Sequence, residues 1–241
     1  MSLFLANRLL YRGPDALIID KPAGIAVHKG CKTEDDLERH FDPLRFGLPD
    51  RPRLAHRLDK DTSGCLVLSR TDAAATRLGR LFSLGRVQKT YWAVVLGRPA
   101  DDGGCIDLPL RKIAGPRGGR MEAVADGQSA TTDWRLLATH AGLSWLELAP
   151  RTGRTHQLRA HCAHGLGCPI LGDATYGPID RAAGTSLHLH ARAIRLHLAE
   201  DIGATAPVPS MMAAALQAFG FDPAQDGGYL PQPQADNAAS M

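Results

Sequence analysis

The feature of this chain with the clearest potential for chemistry is one aspartate on a polar turn beside an apolar run. Residues 54–64 read Leu-Ala-His-Arg-Leu-Asp-Lys-Asp-Thr-Ser-Gly, which places Asp59 just before the turn at 62–64. The apolar run 65–68 follows at once and is typical of a buried strand. A carboxylate on a loop that a core strand anchors is a common arrangement in binding and catalytic sites. The charged neighbours of Asp59 leave a second interpretation open, a surface turn held by ion pairs.

The elements that must hold this loop follow from residue patterns along the chain. Apolar and alternating runs predict strands at 16–20, 24–28, 66–69, 90–96, 131–137, 143–149 and 186–198. Capping residues and apolar stripes predict helices at 33–41, 71–84, 155–164 and 210–219, with Thr33 and Thr71 as N-caps of the first two. Many strands with few helices predict an α+β fold with a mixed or antiparallel sheet.

Length and composition limit the class of protein. The chain has 241 residues, of which 44% are hydrophobic, enough for one sizeable core or two small ones. No apolar run approaches the roughly 20 residues that cross a bilayer, and the start lacks a signal-peptide pattern. We therefore expect a cytoplasmic protein without a membrane partner. The five cysteines are scattered without a CxxC pair, which favours reduced, mostly buried thiols over a disulfide framework or a zinc ribbon.

Positive charge is concentrated around the candidate aspartate. The formal net charge is only +3, but residues 51–120 hold 14 Lys and Arg against six Asp and Glu. A basic block of this kind suits a polyanion such as RNA. The alternative is an ordinary solvated helix face, on which Arg77 and Arg80 would lie.

The segment His56-Arg57-Leu58-Asp59, followed by Thr62-Ser63-Gly64, resembles the signature of the RluA branch of pseudouridine synthases. The sister branch has Gly in place of His56. Further segments that resemble the family occur in the same order, at 19–28, 89–93, 153–159, 167–173 and 176–177, with a weaker match at 189–191. The resemblance spans residues 17 to about 197. The chain departs from the family in two places. The family usually has a Pro soon after the segment that matches at 189–191, where this chain reads His197-Leu198-Ala199, and the Gly-rich stretch 115–119 matches no family pattern.

The resemblance implies a fold, a reaction and a substrate. The fold is a long bent, mostly antiparallel sheet with flanking helices and a cleft across its middle. The reaction converts uridine in structured RNA, a tRNA or ribosomal RNA stem-loop, to pseudouridine after the base is flipped out. It needs no cofactor and no metal. We expect one catalytic domain over 1–221 that acts as a monomer without a separate N-terminal RNA-binding domain, and a disordered tail over 222–241.

The resemblance also implies the catalytic residues. Asp59 is the essential carboxylate. Three roles remain open for it: it adds to the uracil ring, it adds to the sugar carbon, or it assists proton abstraction from the sugar. Arg159 is the cation beside it, for which a surface helix position is the alternative. Tyr91 stacks on the uracil and serves in proton transfer at carbon 5; otherwise it is a core tyrosine.

Four further residues are predicted to bind RNA. Arg57 fills the space that the flipped base leaves. His56 contacts phosphate or base, with a structural hydrogen bond as the equal alternative. Arg154 and His156 are phosphate contacts or structural residues. The basic residues around the Gly-rich stretch form a hypothetical clamp on the RNA, namely Arg111, Lys112, Arg117 and Arg120.

Two other classes compete with the isomerase. A metallohydrolase would use the clustered histidines and an Asp such as Asp173, the histidines being His156, His161, His164, His188 and His190. Helical spacing puts His156 and His161 about 140° apart, which is poor for one ion. A non-catalytic RNA-binding protein would have no need of an intact Asp59, Tyr91 and Arg159.

Overall fold

The computed structural model describes residues 5–29, 35–114, 119–178 and 184–222. Its strands are β1 (Leu9–Arg12), β2 (Ala16–Lys21), β3 (Arg53–Leu54), β4 (Ser63–Ser69), β5 (Gln88–Leu96), β6 (Gly103–Asp107), β7 (Leu110–Ile113), β8 (Arg120–Ala123), β9 (Thr131–His140), β10 (Leu143–Pro150), β11 (Leu189–His197) and β12 (Asp201–Thr205). The α-helices are α1 (Asp72–Ser83), α2 (Gln157–Ala160) and α3 (Ser210–Ala218). Short 3-10 turns occupy Leu5–Arg8, Leu37–His40 and Asp42–Leu44, and a π turn at His161–Gly165 continues α2.

Ten of the strands in these ranges form one sheet. Its main path runs β1-β2-β4-β11-β5-β10-β9-β6, with β12 paired to β11 and β3 paired to β4. The pairing of β4 with β11 is parallel and the other pairings are antiparallel. Strands β7 and β8 form a separate hairpin. The prediction of an α+β fold with a mixed, mostly antiparallel sheet is confirmed.

The sheet is covered on both faces, which explains why its central strands are so apolar. Every residue of β4 is buried. One face of β2 and β4 packs on α1 through Leu78, and the opposite face packs on the 3-10 turns through Leu37 and Phe41. On β5, Trp92 and Val94 pack on α3, while the alternate residues face a second core cluster. The segment that carries Asp59 therefore leads into a strand that packs against the core on both faces.

Elements with strong local signals lie where the sequence predicts them. Helix α1 begins after Thr71, whose hydroxyl accepts the Ala74 N–H at 3.1 Å. It ends at Ser83 with Leu84 as its C-cap, and Gly85 follows with a φ of +67°. The predicted strands at 131–137 and 143–149 are present as β9 and β10, which pair antiparallel, and the predicted last helix is present as α3.

Three of the predicted elements differ from the structure. The strand over 24–28 is wrong, because Gly24 has a φ of +88° and this segment makes only an isolated bridge at Ala26. The helix over 33–41 is reduced to a 3-10 turn capped by Asp36, while the predicted cap Thr33 lies outside the described residues. The helix over 155–164 begins only at Gln157, because the preceding residue has left-handed backbone.

Other predictions fall partly outside the described ranges. Cys65, Cys162 and Cys168 are buried free thiols and Cys105 is an exposed one, whereas Cys31 is not described. The predicted tail lies beyond the described residues, except for Asp222. Within the part of the chain that the structure describes, no helix has the length and apolar character needed to cross a membrane.

Candidate active site

The loop that carries Asp59 is fixed at both ends. Leu58, directly before it, is buried in the core against β2 and β4. The carbonyl oxygen of Asp59 accepts the N–H of Thr62 at 3.2 Å, which closes a turn immediately before β4. The aspartate side chain remains 26% exposed. A rigid turn thus presents a reachable carboxylate.

Lys21, the last residue of β2, holds this loop in place through hydrogen bonds. Its ammonium is fully buried and donates to the carbonyl oxygens of Pro22, Lys60 and Thr62 at 2.8–2.9 Å. Burial lowers the pKa of Lys21 to about 8, against the opposing charges of nearby carboxylates, Asp61 foremost. Residue patterns did not assign Lys21 to the site. The only signal was its position in a segment that resembles the family.

A close approach between β4 and β11 sets the position of the loop in the sheet. Gly64 has a φ of +104°, and a Cβ there would collide with the carbonyl oxygen of Ala191. These residues are paired in the parallel register of β4 and β11. Only glycine combines this backbone conformation with this contact. Gly64 is therefore a structural requirement of the pairing between β4 and β11.

Arg159 supplies the predicted cation beside Asp59. Its Nη1 donates to Asp59 Oδ2 at 3.3 Å, and its Nε and Nη2 each donate to Asp173 at 2.8 Å. Nη2 also donates to the Thr175 hydroxyl at 2.9 Å. Burial acts to lower the pKa of Arg159, but the hydrogen bonds and charge of Asp173, with those of Asp59, raise it overall. The guanidinium therefore stays charged beneath Asp59.

Asp173 holds the Arg159 side chain in place, a role that residue patterns did not predict. Its side chain is completely buried, and Oδ1 also accepts the backbone N–H groups of Thr175 and Tyr176. A buried carboxylate with a bidentate arginine partner fixes the plane of the guanidinium. The Arg159 side chain is thereby held in place before any substrate arrives.

His156 is the second neighbour of Asp59. Its Nε2 lies 3.8 Å from Asp59 Oδ2, and its Nδ1 lies 3.3 Å from the Tyr176 hydroxyl. Its φ of +49° turns the chain into α2. Burial lowers the pKa of His156, the charge of Arg159 adds to this effect, and Asp59 opposes it. The ring is therefore mainly neutral at pH 7.

Tyr91 borders the same space from β5. It packs against two core clusters, while Trp92 faces the opposite side of the sheet, as strand alternation predicts. Burial raises the pKa of Tyr91, and the charge of Asp59 raises it further. The hydroxyl is therefore protonated at neutral pH and can donate a hydrogen bond or a proton.

The side chains of the other predicted RNA contacts differ in their exposure and in the hydrogen bonds that they already make within the protein. His56 Nε2 accepts the Val67 N–H at 3.0 Å, and the ring stacks on Phe82 with centroids 4.5 Å apart. Burial, with the charge of Lys89, lowers the pKa of His56 to about 3. One ring nitrogen thus has a structural hydrogen bond, as the alternative interpretation required, and an RNA contact stays a prediction. Arg57 and Arg154 are exposed, and Arg154 Nε donates to the Ser129 carbonyl oxygen at 3.0 Å.

All of the predicted site residues line one cleft of about 1010 Å³. They are Asp59, Tyr91, Arg159, Arg57, His56, Arg154 and His156. The arrangement places a carboxylate, a fixed cation and a neutral phenol around a space large enough for a nucleotide. Such a set can act on a base without oxidation or reduction. Among the described residues, no three His, Cys, Asp or Glu side chains form a group that could hold a metal ion.

Comparison with known proteins gives consistent results. A family model described as RNA pseudouridylate synthase matches residues 15–164. A protein of Zymomonas mobilis named as an uncharacterized RNA pseudouridine synthase is 44% identical over 208 residues, covering 85% of this chain and 95% of the relative. The mitochondrial pseudouridylate synthase RPUSD4 of Xenopus tropicalis is 33% identical, covering 83% of this chain and 75% of the relative. The solved structure of human RNA pseudouridylate synthase domain containing 4 has a TM-score of 0.76 and 27% identity, covering 95% of this chain and 96% of that one.

Fold, cleft and relatives together define an RNA-modifying isomerase of the pseudouridine synthase class. The chain belongs to the RNA pseudouridylate synthase family, and the predicted membership of the RluA branch is confirmed. It is an enzyme that forms pseudouridine in RNA.

Proposed function

We propose that Asp59 is the carboxylate that carries the isomerisation, acting on a uridine flipped out of a tRNA or ribosomal RNA stem-loop. The observation that supports this most directly is the 3.3 Å contact between Asp59 and a buried arginine inside the cleft. The arginine holds the carboxylate in a fixed orientation towards the cleft. Asp59 is therefore available as a nucleophile or a base at the reacting nucleotide.

The reaction needs positioned groups and no net redox change. The bond between ribose carbon 1′ and uracil nitrogen 1 breaks, the base rotates, and carbon 1′ joins carbon 5. Carbon 5 loses its hydrogen as a proton, and nitrogen 1 ends with one. In the proposal, the Tyr91 ring holds the detached uracil and its hydroxyl serves in the proton transfer at carbon 5.

The rest of the cleft would deal with the RNA around the target. Extracting a base from a stack costs a few kcal/mol, and a planar guanidinium can stack in the vacated space. Arg57 is exposed at the cleft, one residue before the buried Leu58, and suits this task. The catalytic domain itself would recognise a compact stem-loop with splayed bases.

Release of tritium from RNA labelled at carbon 5 of uridine tests the proposal. Wild type, Asp59→Asn and the control Asp102→Asn are each incubated with unmodified tRNA and, separately, with ribosomal RNA transcripts. Asp102 is an exposed acid paired with Arg98 and does not line the cleft. We expect release by wild type and control on one RNA class, and a loss of at least ~1,000-fold for Asp59→Asn, since it removes the reacting group. Undiminished release by Asp59→Asn would refute the role of Asp59.

A further inference from the structure

Lys89 is a cation of the cleft wall to which the proposed reaction assigns no task. It lies on β5 two residues before Tyr91, and both side chains line the cleft. The intervening Thr90 is buried on the other face of the strand. Two residues along a strand correspond to roughly 7 Å. A nucleotide whose base lies against Tyr91 therefore has its backbone within reach of Lys89.

Lys89 has no counter-charge within the described parts of the chain. Its ammonium makes no ion pair or hydrogen bond with any described residue, unlike two arginines of the same cleft. Arg151 is paired with Asp133 at 2.6 Å, and Arg159 is paired with Asp173 and Asp59. Burial lowers the pKa of Lys89, and no carboxylate opposes this effect. The adjacent His56 is neutral and gives no negative charge either.

A half-buried ammonium without a partner is unfavourable in the free protein. Its desolvation is compensated only when an anion enters the cleft. The substrate of this family brings one anion per nucleotide, the backbone phosphate, and a lysine binds phosphate as a compact point charge. The chemistry of the position thus matches a phosphate and not the uncharged face of a base.

We propose that Lys89 binds the backbone phosphate next to the target uridine and so anchors the strand from which the base is flipped. This inference rests on RNA as the substrate and is independent of the chemical role of Asp59. A binding measurement without turnover therefore separates its failure from a failure of the proposed catalytic role.

The test is the affinity for a fluorescein-labelled uridine decanucleotide, measured by anisotropy over a series of salt concentrations. Lys89→Met should raise Kd by about 10-fold near 0.1 M salt, the loss expected for one charge-assisted hydrogen bond. It should also reduce the slope of log Kd against log salt by about 0.7, the value for one phosphate on a single strand. Lys89→Arg should stay within about 3-fold of wild type, because it keeps the charge.

Arg80→Met is the matched control, because Arg80 is an exposed cation of α1 that does not line the cleft. Equal Kd and equal salt slope for Lys89→Met and Arg80→Met would overturn the proposal. At saturating RNA, Lys89→Met should keep its kcat for tritium release while its KM rises. A fall in kcat with unchanged Kd would also overturn the proposal.

A second readout uses the wild-type chain and is independent of how the variants fold. The rate of reductive methylation of Lys89 is measured by mass spectrometry of the peptide that contains it. This rate is compared in the presence and in the absence of saturating decanucleotide. Slower methylation in the presence of RNA is the expected result. Equal rates would count against a phosphate at this position.

Discussion

At the residue scale, one buried arginine serves two carboxylates in unequal ways. Asp173 is fully buried and receives two bonds of 2.8 Å from Arg159, whereas Asp59 receives one bond of 3.3 Å and stays 26% exposed. The bidentate pair fixes the guanidinium, and the remaining nitrogen faces Asp59. Asp173 thus positions the guanidinium of Arg159, which remains available to Asp59. This division explains how Asp59 can be held by a fixed cation and remain open to substrate.

Tyr91→Phe tests the role of the hydroxyl separately from that of the aromatic ring. The variant keeps the stacking surface, so its affinity for RNA should equal that of wild type. It should lose about 100-fold in single-turnover tritium release, the usual worth of a positioned proton-transfer group. Tyr11→Phe is the control, since Tyr11 lies on β1 outside the cleft. Full activity of Tyr91→Phe would exclude its hydroxyl from the proton transfer.

Lys21 should leave a signature in the pH dependence of stability. Its pKa is lowered from 10.5 to about 8 in the folded chain. Between these values the unfolded chain binds more protons at this residue than the folded chain does. The contribution of Lys21 to the free energy of unfolding therefore rises with pH from about 8 to 10.5 and is constant below that window.

Urea unfolding of wild type and Lys21→Met across this window measures the contribution. The free energy of unfolding of wild type minus that of the variant should increase with pH by at most about 3 kcal/mol. Other titrating groups are common to both chains and cancel in the difference. A difference that does not change with pH would contradict the assignment.

At the scale of elements, the close pairing of β4 and β11 positions the loop that carries Asp59. Gly64→Ala combines a strained backbone with a collision against the Ala191 carbonyl group, and we expect a loss of more than about 2 kcal/mol in the free energy of unfolding. Gly79→Ala is the control: Gly79 lies in α1 and a Cβ there meets nothing within 4 Å. That change should increase stability by about 1 kcal/mol. Equal urea midpoints for Gly64→Ala and wild type would contradict the close approach of the strands.

Helix α2 shows where local patterns reach their limit. The apolar and polar spacing over 155–164 predicts one continuous helix with Thr155 and Arg159 on the same face. The helix begins later, after His156 with its left-handed backbone, and Arg159 is buried. Gln157 holds the start of α2 by accepting the Thr152 hydroxyl and the Arg154 N–H at 2.8 and 3.0 Å. This hydrogen-bonded bend leaves Thr155 outside the helix that carries Arg159.

At the scale of the whole molecule, the β7–β8 hairpin lies beside the cleft. The Met121 N–H donates to the Tyr176 hydroxyl at 2.8 Å, and this hydroxyl lies 3.3 Å from His156 Nδ1. The charge of Lys112 contributes to lowering the pKa of His156, after burial and the charge of Arg159. The basic hairpin is therefore connected to His156 through the Tyr176 hydroxyl, and the RNA clamp stays a prediction.

Removing the charges of this region tests the clamp. The four changes are Arg111→Ala, Lys112→Ala, Arg117→Ala and Arg120→Ala, of which Arg117 lies outside the described residues. The combined variant should bind RNA more weakly and show a smaller salt slope, by about 0.7 for each single-strand phosphate that it no longer binds. The double change Arg77→Ala and Arg80→Ala on the outer face of α1 is the control. Unchanged RNA affinity of the combined variant would refute the clamp.

Much of the fold and the candidate site could be predicted from the sequence, because those parts depend on near neighbours. The cap at Thr71, the alternation of Tyr91 and Trp92, and the apolar run after Asp59 are local signals of period and hydrogen bonding. The resemblance to the family added the site residues, and all of them line one cleft.

Only the tertiary structure decided how these parts meet. The hydrogen bond between Asp59 and Arg159 joins residues 100 positions apart, and Lys21 reaches the loop across about 40 positions. The Lys21 contacts depend on the antiparallel register of β2 with β4, which places Lys21 opposite Gly64. The contact of Asp59 with Arg159 depends on how α2 packs against the sheet and on which side chains the core excludes from water. Local propensity carries no information on either, because strand partners and burial are properties of the whole chain.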